Sequence, residues 1–250
     1  MEKGRDYKME QVRLDKAVAS LGELSRRDVK KLAAQGQVTV NGKVVKRVEE
    51  KITPDTDRVC IGGKLLNLNP HIYLMLNKPE GVVSASRDEK EKTVVDLVPR
   101  ELFRRGIFPA GRLDKDTTGF VLLTNDGELA HRILSPKNHI PKVYIAVLDL
   151  PIDEDTIRMF AEGMELKNGE VCKPASLAHE PSWEAQPAAR IVLREGIYHQ
   201  IKRMFAKTGR EVLALKRISM GGVSLDPSLA PGCCRELTET EREHLLDGFH

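Results

Sequence analysis

Residues 111–124 read GRLDKDTTGFVLLT. Gly111 and Gly119 bracket a polar loop, and the apolar run that follows predicts a strand leaving directly from this loop. A carboxylate on a loop beside a rigid strand is well placed for catalysis. Asp114 is therefore a candidate catalytic residue, although loops rich in Asp and Thr are also common as plain surface turns.

Two other chemistries fit part of this loop. The pattern D-x-D-x-T-G from Asp114 to Gly119 begins like an EF-hand calcium loop, but its twelfth position is Asn125 instead of a bidentate Glu. The same letters match the aspartyl-phosphate loop of haloacid-dehalogenase-type phosphatases, where the first Asp is the nucleophile. Those enzymes need a buried strand before that Asp, whereas here the strand follows it. Calcium binding is disfavoured, and an Asp-nucleophile phosphatase stays a weaker alternative.

Composition places the chain among ordinary soluble globular proteins. It has 250 residues, of which 40% are hydrophobic and 31% charged, enough for one or two domains. No apolar run approaches the roughly 20 residues that a membrane span needs, and the N-terminus lacks the apolar core of a secretory signal. We therefore expect a cytoplasmic protein without membrane contact. The four cysteines form no Cys-x-x-Cys pair, so no zinc site is expected.

A small basic module is predicted near the N-terminus. Residues 1–67 contain 15 Lys and Arg against 10 Asp and Glu, whereas the remainder contains 25 against 27. Helical spacing predicts one helix ended by Gly22, and a second with Ser25 as N-cap that ends at Gly36. Two strands joined by Asn41-Gly42 follow, a sequence typical of a type I′ turn.

The second helix of this module has a basic face. It comprises Arg26, Arg27, Lys30 and Lys31, all at the N-terminal end of the helix. Backbone N–H groups at that end also favour a phosphate, so the face predicts contact with RNA or DNA. The plainer interpretation is a solvated surface.

Beyond residues 62–70, which contain the breakers expected at a domain boundary, the chain alternates strands and helices. Strands are predicted near 72–76, 120–124, 143–148, 189–193 and 212–215, with helices near 128–134, 156–163 and 199–207. Hairpin-type turns connect most of them, which favours an α+β body over a doubly wound sheet.

Two segments of this body contain further candidate side chains. In the helix near 199–207 an apolar stripe docks on the core, and Lys202 and Arg203 flank it. We expect Lys202 to be partly buried with a carboxylate partner. For Arg203 a solvated basic edge is favoured over RNA contact. Tyr144 alternates with its neighbours along a strand, where core packing is the usual role of such a ring.

Together these segments resemble the pseudouridine synthases of the RsuA group. Residues 111–127 are similar to the catalytic-loop motif of that family, 142–144 to its tyrosine motif, 195–205 to its third motif and 77–84 to its entry motif. Residues 13–42 resemble part of an S4-type RNA-binding domain. Five motifs in order, from about residue 12 to residue 240, make the resemblance specific.

The resemblance implies a small S4-type α/β RNA-binding domain over residues 12–67 and a catalytic domain over residues 70–245, built on a mostly antiparallel mixed sheet. The implied reaction detaches uracil at N1–C1′, rotates it and rejoins it through C5, with no cofactor and no metal. Asp114 would be the essential carboxylate, either as a nucleophile toward the sugar or base or to help remove a sugar proton, with Lys202 as its neighbouring cation. Tyr144 would pack against the flipped base, with proton transfer as a second possible role. Arg112 would fill the vacated position in the stack or hold the flipped nucleotide, and Arg203 is kept as an RNA-binding candidate.

Details of the motifs indicate the substrate. Thr117-Thr118 and the run at 199–205 look most like members that modify 16S rRNA, whereas relatives acting on 23S rRNA usually have Arg in place of Lys202. We predict a monomeric enzyme that isomerises one uridine of 16S rRNA, as free RNA or in a pre-30S particle. The same chemistry on 23S rRNA, or a non-catalytic rRNA-binding assembly factor, are the alternatives. Retention of Asp114, Tyr144 and Lys202 argues against loss of activity.

Overall fold

The computed structural model describes residues 11–54, 56–66, 68, 71–135, 137–138, 140–183 and 185–247. They form two compact units. The first ends at Ile72 and includes Phe103–Gly106, and the second comprises Tyr73–Leu102 and the chain from Ile107 onward. Of the boundary predicted at 62–70, positions 67, 69 and 70 lie outside the described residues.

The first unit is a helix pair followed by a small sheet. Its elements are β1 (Val12–Arg13), α1 (Leu14–Ser20), α2 (Arg26–Ala34), β2 (Val38–Val40), β3 (Lys43–Val44), β4 (Lys51–Ile52), β5 (Val59–Ile61) and β6 (Lys64–Leu65). The strands β3-β2-β5-β6 form an antiparallel sheet, and β1 pairs with β4. The predicted capping box of Ser25 and Asp28 is present, and Asn41 and Gly42 both have positive φ. Leu14, Val29 and Val38 are completely buried in its core.

The second unit contains the remaining elements. They are β7 (Tyr73–Lys78), a 3-10 turn (Val95–Leu97), β8 (Phe108–Pro109), β9 (Thr117–Thr124), α3 (Gly127–Leu134), β10 (Lys142–Leu148), α4 (Glu154–Glu162), β11 (Met164–Glu165), β12 (Val171–Cys172), β13 (Ser176–Trp183), β14 (Gln186–Leu193), α5 (Gln200–Lys207), β15 (Val212–Met220), β16 (Val223–Ser224), β17 (Cys234–Glu236) and α6 (Glu239–Asp247). None of the helices within the described ranges is long and apolar enough to cross a membrane.

A nine-stranded mixed sheet organises this unit. Its strand order is β13-β14-β10-β15-β9-β7-β17, with β16 on β15 and β8 on β9. The pair β9–β15 is parallel and the other pairings given for this sheet are antiparallel, which confirms the predicted α+β class with a mostly antiparallel mixed sheet. Met75, Phe120 and Leu122 are completely buried in the core below it.

The segment 111–124 differs from the sequence-based prediction in one respect. Strand β9 begins at Thr117, so Gly119 lies inside the strand and does not close the loop. Gly119 has a φ of +98°, and a Cβ placed there would lie 2.2 Å from the carbonyl oxygen of Arg217. The glycine is therefore required by the close approach of β9 to β15.

Candidate active site

A cavity of about 480 Å³ lies on one face of the large sheet. Its floor comes from β10, β14 and β15, and its walls come from the loop before β9, the end of α3 and the segment 193–202. Asp114, Tyr144, Lys202 and Arg112 all line it, although they are far apart in sequence. The structure therefore brings together the three residues predicted to be catalytic.

The loop that presents Asp114 is clamped by residues 78–84, the segment that resembled the entry motif. Lys78 is completely buried, and its ammonium donates to the carbonyl oxygens of Pro79, Lys115 and Thr117 at 3.1, 3.1 and 2.8 Å. Burial lowers the pKa of Lys78 to about 8, against the opposing effect of nearby carboxylates. The Ser84 hydroxyl donates a hydrogen bond to the carbonyl oxygen of Leu113 and accepts one from the backbone N–H of the same residue. These contacts fix the backbone on both sides of Asp114.

Asp114 is partly exposed at the cavity wall. Its Oδ1 lies 3.4 Å from Nε2 of His199, and the pair is an ion pair when that histidine is protonated. His199 precedes α5 with a left-handed φ of +49°, a strained backbone for a non-glycine residue. His199 was not predicted as a site residue, because its contact with Asp114 depends on how α5 packs against the loop.

Lys202 is partly buried and has a carboxylate partner, as predicted, but that partner is Asp116. The Nζ–Oδ2 distance is 2.5 Å, and this hydrogen bond lowers the pKa of Asp116. Lys202 was predicted as the cation neighbouring Asp114; among the ion pairs of the described residues it binds Asp116, and Asp114 faces His199. The reason is spacing: His199 and Lys202 lie about one helical turn apart and face Asp114 and Asp116, respectively.

Tyr144 forms part of the cavity floor. It is 8% exposed and pairs in register with Arg217 of β15 and Ile191 of β14. The guanidinium of Arg217 lies 6.0 Å from the centre of the tyrosine ring, and its Nη1 is 3.4 Å from the hydroxyl. Arg217 was not predicted as a site residue, because charged residues in a strand are usually exposed and nothing in the sequence indicated its burial.

The RNA-binding candidates of the body have different surroundings. Arg112 is exposed on the cavity wall. Arg203 instead forms an ion pair with Glu170 at 2.7 Å and donates to Asn168 and to the carbonyl oxygen of Tyr198. Arg203 is thus held by partners within the protein, and its RNA-binding role stays a prediction.

At the rim of the cavity lies an exposed aromatic side chain. Tyr198 is 73% exposed and stacks on His199 with ring centres 3.8 Å apart. An exposed ring beside a cavity is a suitable stacking surface for a nucleobase.

In the first unit, one of the four basic residues predicted on α2 also forms an ion pair, and its RNA-binding role stays a prediction. Arg26 binds the buried Asp15 at 2.8 Å, and Arg13 binds the same carboxylate at 2.9 Å. Arg26 is thus partly neutralised and ties α2 to α1. Arg27, Lys30 and Lys31 are exposed, and we call these three residues the basic face from here on.

In the part of the chain that the structure describes, no cluster of three or more His, Cys, Asp or Glu side chains is arranged to hold a metal ion.

Comparisons with known proteins agree with both units. Residues 72–207 match the family model described as RNA pseudouridylate synthase, and residues 12–66 match the S4 domain. A Bacillus subtilis protein named as an uncharacterized RNA pseudouridine synthase, YtzG, is 48% identical over 236 residues, which cover 94% of this chain and 98% of that protein. The Escherichia coli K12 ribosomal small subunit pseudouridine synthase A is 40% identical over 231 residues, with 92% and 98% coverage. A crystal structure of a pseudouridylate synthase, 39% identical, superposes with a TM-score of 0.64 and covers 94% of this chain and 99% of that one.

Proposed function

We propose that this chain, which belongs to the RNA pseudouridylate synthase family, isomerises one uridine of 16S rRNA to pseudouridine. The observation that carries the proposal is the convergence of Asp114, Tyr144 and Lys202 on one cavity. The 40% identity to a small-subunit enzyme over nearly the whole chain supports 16S rRNA as the substrate.

In this proposal Asp114 is the essential carboxylate. It lies at the cavity wall, where it can meet the sugar carbon C1′ as the bond to uracil breaks. Lys202 supports it indirectly, because it neutralises Asp116 two positions away. Without that neutralisation, a second carboxylate without a cation partner would lie on the same loop as Asp114.

The target base must leave its stack to enter the cavity. A volume of about 480 Å³ is within the range of small-ligand sites, and the buried ring of Tyr144 offers an apolar surface for the flipped uracil. Arg112 at the wall and Tyr198 at the rim are positioned to hold the flipped nucleotide and to stack on a neighbouring base.

In this proposal, the N-terminal module binds the RNA outside the target nucleotide and its neighbours. We assign residues 12–67 as the S4-type RNA-binding domain and residues 70–245 as the catalytic domain. The basic face supplies phosphate contacts in this assignment. The enzyme acts as a cytoplasmic monomer without cofactor or metal, on 16S rRNA or a pre-30S particle.

The test is conversion of defined RNA by the purified protein. Transcripts of 16S and 23S rRNA are incubated with the enzyme and pseudouridine is mapped chemically, alongside rRNA from cells with and without the gene. We expect one gene-dependent site in 16S rRNA and none in 23S rRNA. A site in 23S rRNA would contradict the substrate assignment, and no site in either would favour a non-catalytic assembly factor.

The matched control is Asp114→Asn, which keeps shape and removes the charge. It should abolish conversion while the dissociation constant for the RNA stays within about twofold, because Asp114 makes no phosphate contact in this proposal. Normal turnover by this variant would refute the catalytic assignment of Asp114.

A further inference from the structure

The floor of the cavity contains a buried cation without a counter-charge. Arg217 is 1% exposed, and its Nε donates to the carbonyl oxygen of Phe120 at 2.7 Å. Its Nη2 is buried and has no hydrogen-bond partner within the described structure. No described carboxylate forms an ion pair with this guanidinium.

A second cation lies on the same floor. Lys142 is two positions before Tyr144 on β10, so both side chains project from the same face of the sheet and line the cavity. Its ammonium donates to the carbonyl oxygen of Ile140 at 3.3 Å. Burial and the positive charge of Arg217 lower the pKa of Lys142 to about 8, so it is still mostly protonated at neutral pH. The two like charges are therefore close enough to interact electrostatically.

A neutral polar group on this floor is also unsatisfied. Thr117 pairs in register with Leu215 and lines the cavity, and its buried Oγ1 has no hydrogen-bond partner among the described residues. Unsatisfied buried donors and unpaired buried charges both cost free energy in the unliganded protein. An apolar residue at position 217 would avoid that cost, so the arrangement points to a ligand that supplies negative charge.

The charges of the cavity are separated into two poles. The Asp114 carboxylate lies in the wall, and Arg217 and Lys142 lie in the floor. Leu193, Leu215 and the ring of Tyr144 contribute apolar surface to the same lining, which weakens screening by water. The remaining titratable groups of the lining lie in the walls: Arg112, Arg194, Glu195, Tyr198, His199 and Lys202.

We propose that Arg217, assisted by Lys142, stabilises the uracil anion that forms when the N1–C1′ bond breaks. Both electrons of that bond stay on N1, and the negative charge spreads to O2 and O4, where the free Nη2 of Arg217 donates a hydrogen bond. The electron-deficient C1′ faces Asp114. When the base rejoins, an electron pair of uracil forms the C5–C1′ bond, and the proton then moves from C5 to N1. This inference rests on the proposed function of the cavity.

The variant that tests it is Arg217→Met, which keeps the bulk and removes the charge. Because the loss of one donor aimed at a developing anion costs about 100-fold or more in rate, we expect a single-turnover rate lower by about 100-fold on uridine RNA. Arg217→Lys should recover much of that loss, since it keeps a charge. RNA affinity should not change.

The matched control is Arg210→Met. Arg210 is also mostly buried and bonds Asp153 and the carbonyl oxygens of Pro151 and Thr208, but it is not part of the cavity lining. Its loss should lower the unfolding temperature without a selective loss of rate. This comparison separates a catalytic effect from general destabilisation.

The leaving group provides the deciding measurement. RNA with 5-fluorouridine at the mapped target position carries an electron-withdrawing atom that stabilises the anion itself. The rate loss caused by Arg217→Met should therefore shrink from about 100-fold on uridine RNA to less than about 10-fold on the fluorinated RNA, because the fluorinated anion depends less on stabilisation by the protein. Consumption of the fluorinated nucleoside is followed by nuclease digestion and mass spectrometry.

An equal deficit on both RNAs would overturn the inference, because a merely structural role of Arg217 slows both substrates alike. If Arg217→Met does not fold by circular dichroism, Arg217→Lys and Lys142→Met are compared on the two RNAs by the same criterion. If the unmodified enzyme converts neither RNA, the proposed function fails and the inference fails with it. Conversion by the unmodified enzyme with equal deficits refutes the inference alone.

Discussion

The Lys202–Asp116 ion pair allows two roles of the lysine to be distinguished by mutation. If Lys202 acts by neutralising Asp116, removing both side-chain charges should restore the reaction rate that is lost when the lysine charge alone is removed. If Lys202 acts directly on Asp114, the double variant should be as impaired as the single one. The variants are Lys202→Met, Asp116→Asn and the combination of the two.

The size of the effect follows from the exposure of the pair. The two groups are in contact at 2.5 Å, the lysine side chain is 25% exposed and the aspartate side chain 59% exposed. A pair near the surface in this range is worth about 1 to 2 kcal/mol after solvent screening, which corresponds to roughly 5- to 30-fold in rate. Lys202→Met should lose at least that factor, and Asp116→Asn should lose about threefold or less.

The assay is single-turnover conversion of 16S transcript labelled with tritium at uridine C5, where release of tritium reports the reaction. The double variant should recover at least about fivefold relative to Lys202→Met. Thermal unfolding of all three variants controls for stability. No recovery in a well-folded double variant would refute the indirect role and favour direct action on Asp114.

Three further predictions concern other parts of the chain. Replacing the three residues of the basic face with Gln should weaken RNA binding and lower the slope of log affinity against log salt by about 0.7 to 0.9 per lost phosphate contact; an unchanged slope would remove that face from the interface. Gly119→Ala should destabilise the protein by about 2 kcal/mol or more in chemical denaturation, because its Cβ meets the backbone of Arg217; unchanged stability would contradict the close approach of β9 and β15. Lys142→Met should stabilise the protein at pH 7, where burying the charged ammonium is unfavourable. Because the pKa of Lys142 in the folded state is about 8 and below its unfolded value, that penalty disappears as pH rises. The stability gap to the unmodified protein should shrink by about 2 kcal/mol between pH 7 and 10, and a constant gap would contradict this.

Local patterns predicted the N-terminal module well. The capping box at Ser25 and Asp28 and the positive φ at Asn41 and Gly42 follow from side-chain and backbone chemistry within a few residues. Helix ends were also close: the helix predicted to end at Gly36 ends at Ala34. Helix ends and turns that are stabilised by interactions between sequence neighbours can therefore be predicted from the local sequence.

Strands held by distant partners were predicted less completely. The strand predicted over 212–215 extends to Met220, and strands β13 and β17 and helix α6 were not predicted. Strand β17 is defined by its pairing with β7, about 160 positions earlier in the chain. Such pairing depends on which edge the completed sheet offers, and its local sequence pattern is weak.

For the site, the sequence alone determined that Asp114 stands on a loop beside a strand and that Lys202 needs a carboxylate partner. These conclusions follow from residue type and spacing. The folded structure was needed to show that this partner is Asp116, that Arg26 and Arg203 are held by carboxylates of the protein, and that Arg217 is buried opposite Tyr144. The partner and the burial of a charge depend on which elements pack against it, and the hydrogen-bonded partners of Arg26, Lys202 and Arg217 lie 11 to 97 residues away along the chain.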